Sequence, residues 1–111
     1  MKAQVSAHEL KDALKRLKPR AKYRSMHESH VTATAGGGSL VLLGTLDNSA
    51  SLAAMVAAPG RGIIPLDSAI RVLSTYDKKS SVVIRAAAGE LWIDQLRFIV
   101  PSRLLKYLPQ Q

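Results

Sequence analysis

A chain of 111 residues, 47% of them hydrophobic, suits one domain with a modest core spanning residues 1–111 and leaves little room for a second. Sixteen Lys and Arg against eight Asp and Glu give a formal net charge of +8, which favours an anionic partner, nucleic acid first and an anionic membrane surface second. The absence of cysteine excludes disulfides and thiolate metal ligation, and no stretch approaches the apolar length a bilayer span requires.

The N-terminus, Met1-Lys2-Ala3-Gln4-Val5, lacks the apolar run of a signal peptide, so a cytoplasmic protein is expected. Residues 2–5 read as a short strand. Ser6-Ala7-His8-Glu9 then matches a capping box, in which the Ser6 and Glu9 side chains can each satisfy an exposed backbone N–H at a helix start. Leu10, Ala13, Leu14 and Leu17 recur at helical spacing on one face. Lys11, Lys15 and Lys18 form a stripe on another side, next to His8 and Asp12. Pro19 stops the helix, and Arg20, Lys22 and Arg24 follow in an irregular segment. Eight of the sixteen basic residues therefore fall within the first 24 positions, a placement that points to a basic helical face addressing a polyanion.

From His30 the pattern becomes that of strands. Val31-Thr32-Ala33-Thr34-Ala35, a Gly36-Gly37-Gly38-Ser39 turn and residues 40–45 form a hairpin signal. Asp47-Asn48-Ser49 marks a further turn before a strand over 51–57, and Pro59-Gly60-Arg61-Gly62 punctuates the chain again. Ile63-Ile64-Pro65 leads into a second helix over 66–76, with Leu66, Ala69, Ile70, Leu73 and Tyr76 on one face and Arg71 pointing the other way. Three strands follow, over 81–86, 90–94 and 96–100, and the tail from Pro101 reads as irregular. The expected class is α+β, a strand-helix-three-strand plan repeated twice, with two helices packed side by side on antiparallel sheets.

In this order, several short stretches resemble one domain of the bacterial DNA polymerase sliding clamp, most of all its first domain. They are Lys2-Ala3-Gln4-Val5-Ser6 with Leu10-Lys11-Asp12-Ala13-Leu14, then Leu42-Leu43-Gly44-Thr45-Leu46-Asp47, Ile64-Pro65, Arg97-Phe98-Ile99-Val100 and the closing Tyr107-Leu108-Pro109. The resemblance covers nearly the whole chain and contains no catalytic signature. It implies a non-enzymatic module that binds duplex DNA through its phosphates without reading bases, as exposed Lys and Arg on helices allow. The positions it assigns to DNA are Lys11, Lys15, Lys18, Arg24 and Arg71, with Arg24 at the place where the family's first domain commonly has a DNA-contacting arginine; the basic segment read from the sequence adds Arg20 and Lys22 to that set. It also implies self-association through sheet edges, replication proteins as further partners, and no cofactor. The family's chain carries three such domains and two chains form a ring of six, so a ring of this domain alone would take six copies. The alternative expectation is a regulatory or protein-interaction module that pairs with a clamp or replication protein and does not bind DNA.

Other constellations carry less. Gly36-Gly37-Gly38-Ser39 lacks the Gly-Lys-Ser/Thr and the helix of a phosphate loop. His27 and His30, with Glu28 between them, are two nearby imidazoles without a third ligand at helix or hairpin spacing, so no metal is expected. Asp67 and Asp94 show no sign of forming an acid/base pair. Trp92 and Phe98 lie in alternating strands and read as core or sheet packing rather than base stacking. The small apolar run 51–58 reads as an edge strand open to another copy or as an ordinary buried strand.

Overall fold

The structure is a computed structural model that describes residues 1–18, 30–44, 48–87 and 89–100. Strand β1 (Lys2–Ser6) buries Ala3 and Val5 and exposes Lys2 and Gln4, the alternation of a strand with one face on the core. Helix α1 (Ala7–Leu17) starts where Ser6 Oγ accepts the Glu9 N–H at 3.3 Å. It buries Ala7, Leu10, Ala13, Leu14 and Leu17. It ends at Lys18, extended at φ −68° and ψ 124°, the conformation a following proline favours.

Strands β2 (His30–Gly36) and β3 (Ser39–Leu43) form the expected hairpin. Gly37 and Gly38, at φ 57° and 77°, provide the two left-handed residues of a tight two-residue turn. The strand expected over 51–57 is two strands, β4 (Ser49–Ala53) and β5 (Met55–Ala58). Between them Ala54 donates its N–H to the Gly38 carbonyl at 2.9 Å, and the chain passes from one sheet to the other.

Residues 59–62 were expected as a turn, but Gly60 opens strand β6 (Gly60–Pro65). Gly62 lies so close to Ala86 that a Cβ there would collide with the Cβ of Ala86, so glycine at this point serves close approach. Helix α2 (Leu66–Leu73) is shorter than the periodicity indicates. The hydroxyls of Ser74 and Thr75 donate to the carbonyls of Ile70 and Val72, both at 2.7 Å, and the chain turns there, leaving Tyr76 packed on the core from beyond the helix. Strands β7 (Ser81–Ala87), β8 (Glu90–Ile93) and β9 (Leu96–Ile99) complete the described chain.

The fold is α+β, with two helices and two antiparallel sheets in the orders β5-β1-β7-β8-β9 and β4-β3-β2-β6. The strand-helix-three-strand plan does occur twice, as β1-α1-β2-β3-β4 and β6-α2-β7-β8-β9, with β5 as an addition. Each repeat places its first strand in the other repeat's sheet: β1 pairs with β7, and β6 pairs with β2. Neither half can complete its sheet alone. One core joins both sheets and both helices, with Leu10, Leu14, Leu40, Leu42, Ile64, Leu73, Ile84 and Leu91 fully enclosed.

Candidate nucleic-acid interface

The outward sides of α1 and α2 form the surface on which the sequence concentrates charge. On α1, Lys15 and Arg16 are exposed and Lys11 and Lys18 are half-buried. Lys15 and Arg16 occupy the last turn and Glu9 the first, so the charges also complement the helix dipole. On α2, Arg71 is exposed opposite the buried Leu66, Ala69 and Leu73. The helices are in contact, and Lys18 Nζ lies 2.8 Å from Asp67 Oδ1, which brings the C-terminal end of α1 to the first turn of α2. That approach is short but falls outside hydrogen-bond angles, so it acts as a charge contact.

The Lys18–Asp67 contact distinguishes Lys18 from the rest of the basic stripe. Its charge is already opposed by a carboxylate, whereas the described residues show no such contact at Lys11, Lys15 or Arg71. His8 Nε2 stands 3.3 Å from Asp12 one turn on, so Asp12 also has a local partner. Across the two helices and Lys18, five Lys and Arg face three carboxylates, a net of +2. Such a surface attracts phosphate moderately. Arg16 was absent from the expected set because it lies off the Lys11-Lys15-Lys18 spacing; only the helix's orientation on the core shows it to be exposed. Arg20, Lys22, Arg24, His27 and Glu28 lie outside the described residues, as does the closing Tyr107-Leu108-Pro109.

Elsewhere the structure offers little chemistry. Among the described residues, no three His, Asp or Glu side chains gather as a metal site, and no helix is long and apolar enough to cross a membrane. A shallow groove of about 690 Å³ runs along β5 beside the Gly36-Gly37-Gly38 turn, and among the described residues Lys2 is the one titratable side chain along it. Asp94 has structural partners: Tyr76 Oη donates to Oδ2 at 2.6 Å, and the Val83 N–H donates to Oδ1 at 2.8 Å.

The arrangement of two helices on two antiparallel sheets with exchanged first strands is the fold of a domain of the bacterial DNA polymerase sliding clamp. No family model matches the sequence, and no curated protein matches it either. Solved structures do. The Helicobacter pylori beta clamp bound to a DNA ligase peptide superposes with a TM-score of 0.76 at 19% identity. The Pseudomonas aeruginosa DNA polymerase III subunit beta gives 0.72 at 19%, and the sliding clamp of Caulobacter crescentus gives 0.72 at 16%. Each alignment covers 100% of this chain and 32–33% of the clamp chain, so the chain spans about a third of the length of the proteins it resembles. At these identities the likeness establishes the fold.

Proposed function

We propose that residues 1–111 act as one non-enzymatic, clamp-like module in the cytoplasm that binds duplex DNA through its backbone, without sequence preference. The observation that carries this reading is the pairing of α1 and α2, which brings Lys11, Lys15 and Arg16, near the start of the sequence, together with Arg71 from its middle. Arg20, Lys22 and Arg24 extend the same basic stretch in sequence. Side-chain cations held in no fixed pairing suit a protein that must exchange phosphates as it moves, because each contact is weak and replaceable. Self-association proceeds through the sheet edges. β5 and β9 are the two edges of the five-stranded sheet, and Met55, Leu96 and Ile99 on them are 73%, 53% and 71% exposed.

The test is duplex affinity measured across a salt series. The wild-type affinity is expected to fall steeply with salt and to be equal for unrelated duplexes. Lys15→Ala and Arg71→Ala are each expected to weaken binding and to lower the salt slope by about one. Affinity indifferent to salt, or unaltered by both substitutions, would exclude the helical surface.

The open edges also favour a second reading, a regulatory module that adds its edge strand to a complete clamp or another replication protein. That version is expected to give a stable mixed complex in a pulldown with a clamp and no duplex affinity. Absence of any such complex removes it.

A further inference from the structure

The outer face of the five-stranded sheet, away from the core, holds a row of cations around the chain's one tryptophan. The cross-strand pairs Lys2↔Arg85, Arg85↔Trp92 and Trp92↔Arg97 align these four residues across β1, β7, β8 and β9. Paired residues project from the same face, so the four side chains form one line over three strand spacings, about 14 Å. Their strand neighbours Ala3, Ile84, Leu91 and Ile93 are buried on the opposite face. Lys2, Arg85 and Arg97 are exposed, and Trp92 is half-buried.

Sheet packing accounts for an indole in a strand. It does not account for a large aromatic ring placed on the outer face between two arginines, while Phe98 packs towards the core. The Arg85 guanidinium lies 4.9 Å from the centre of the Trp92 ring, a cation–π contact. Arg97 Nη1 lies 3.5 Å from Glu90 Oε1, a long contact between half-exposed side chains. Glu90 opposes part of the charge, and the row keeps a net of +2.

We propose that this row is a binding site for single-stranded DNA, separate from the helical surface assigned to duplex. An aromatic ring flanked by arginines matches a polymer that alternates flat bases with phosphates. A base takes the place of the Arg85 guanidinium on the indole, and Arg85 turns to the adjoining phosphate. Lys2 and Arg97 hold the phosphates on either side, and Glu90 gives up its weak hold on Arg97. A strand crossing the row meets Lys2, Arg85, Trp92 and Arg97 in turn. An acidic peptide would match the cations, but it would draw Arg85 off the half-buried Trp92 ring without putting a flat group in its place.

The test uses the full chain and Trp92 as its own reporter, since no other tryptophan contributes. Titration with oligo(dT) is expected to quench the fluorescence, with an affinity that weakens as salt rises. Binding of labelled oligo(dT), followed by anisotropy, is expected to weaken about tenfold in Arg85→Ala and in Trp92→Leu, with duplex affinity unchanged. Arg97→Ala is expected to act in the same direction, which keeps the test decisive should Trp92→Leu fold poorly. Absence of quenching by oligo(dT), unchanged oligo(dT) affinity in both arginine variants, tighter binding of oligo(U), or quenching by poly-glutamate alone would each overturn the assignment. Loss of duplex binding in Arg71→Ala with quenching retained would separate this site from the helical one.

Discussion

Asp94 shows how one side chain joins two parts of the fold. Its backbone is at φ 52°, where short polar residues are tolerated, and its carboxylate accepts from the Val83 N–H and from Tyr76 Oη. The hydrogen bond to Asp94, then partial burial and the adjacent negative charge, push the Tyr76 phenol up from 10.0 to about 12. The folded chain therefore keeps this proton where the unfolded chain has lost it. The resulting stabilisation is complete below pH 10 and disappears as pH rises towards 12. Tyr76→Phe is expected to lower stability at neutral pH by about 1 kcal/mol and to flatten the decline between pH 10 and 12, as measured by urea unfolding at several pH values. Asp67 makes a different case, since its carboxylate opposes Lys18 on the helical surface. Asp67→Asn frees that charge and is expected to tighten duplex binding about two- to fivefold at low salt, read by anisotropy. Neither role was legible in the sequence: Tyr76 is 18 positions from Asp94 and Lys18 is 49 from Asp67, and only the packing of the stretch after α2 against the β8–β9 turn, and of α1 against α2, brings them together.

Both helices were legible because their apolar spacing, the Ser6 cap and the flanking prolines agree with one another. The strands were less so where glycine serves packing rather than turning. Gly60 and Gly62 beside Pro59 have the composition of a turn, yet they belong to β6, whose close passage over Ala86 depends on a contact distant in sequence. Gly62→Ala is expected to destabilise the protein by about 1–3 kcal/mol through overpacking, while Gly36→Ala, with open space around it, should cost far less; thermal unfolding of the two variants gives the comparison. Periodicity identified the Lys11-Lys15-Lys18 stripe, but not that Lys18 is already paired. The outer row of Lys2, Arg85, Trp92 and Arg97 was hidden for a related reason: it exists only in the register of four strands drawn from both ends of the chain.

At the scale of the molecule, the exchange of first strands makes the two repeats one cooperative body, with two sheets surrounding a single core and the helices side by side. The five-stranded sheet ends in two unlike edges, β5 and β9, so contact between one copy's β5 and another's β9 is head-to-tail and closes into a ring only if the rotation permits. The clamp chains it resembles are about three times this length, and the module proposed above would self-associate as several copies. Solution mass by light scattering, with and without duplex DNA at low and moderate salt, tests that claim most directly. The expected result is a multimer, or assembly driven by DNA that disperses as salt rises. A monomer of the same mass with and without DNA at low salt would contradict it.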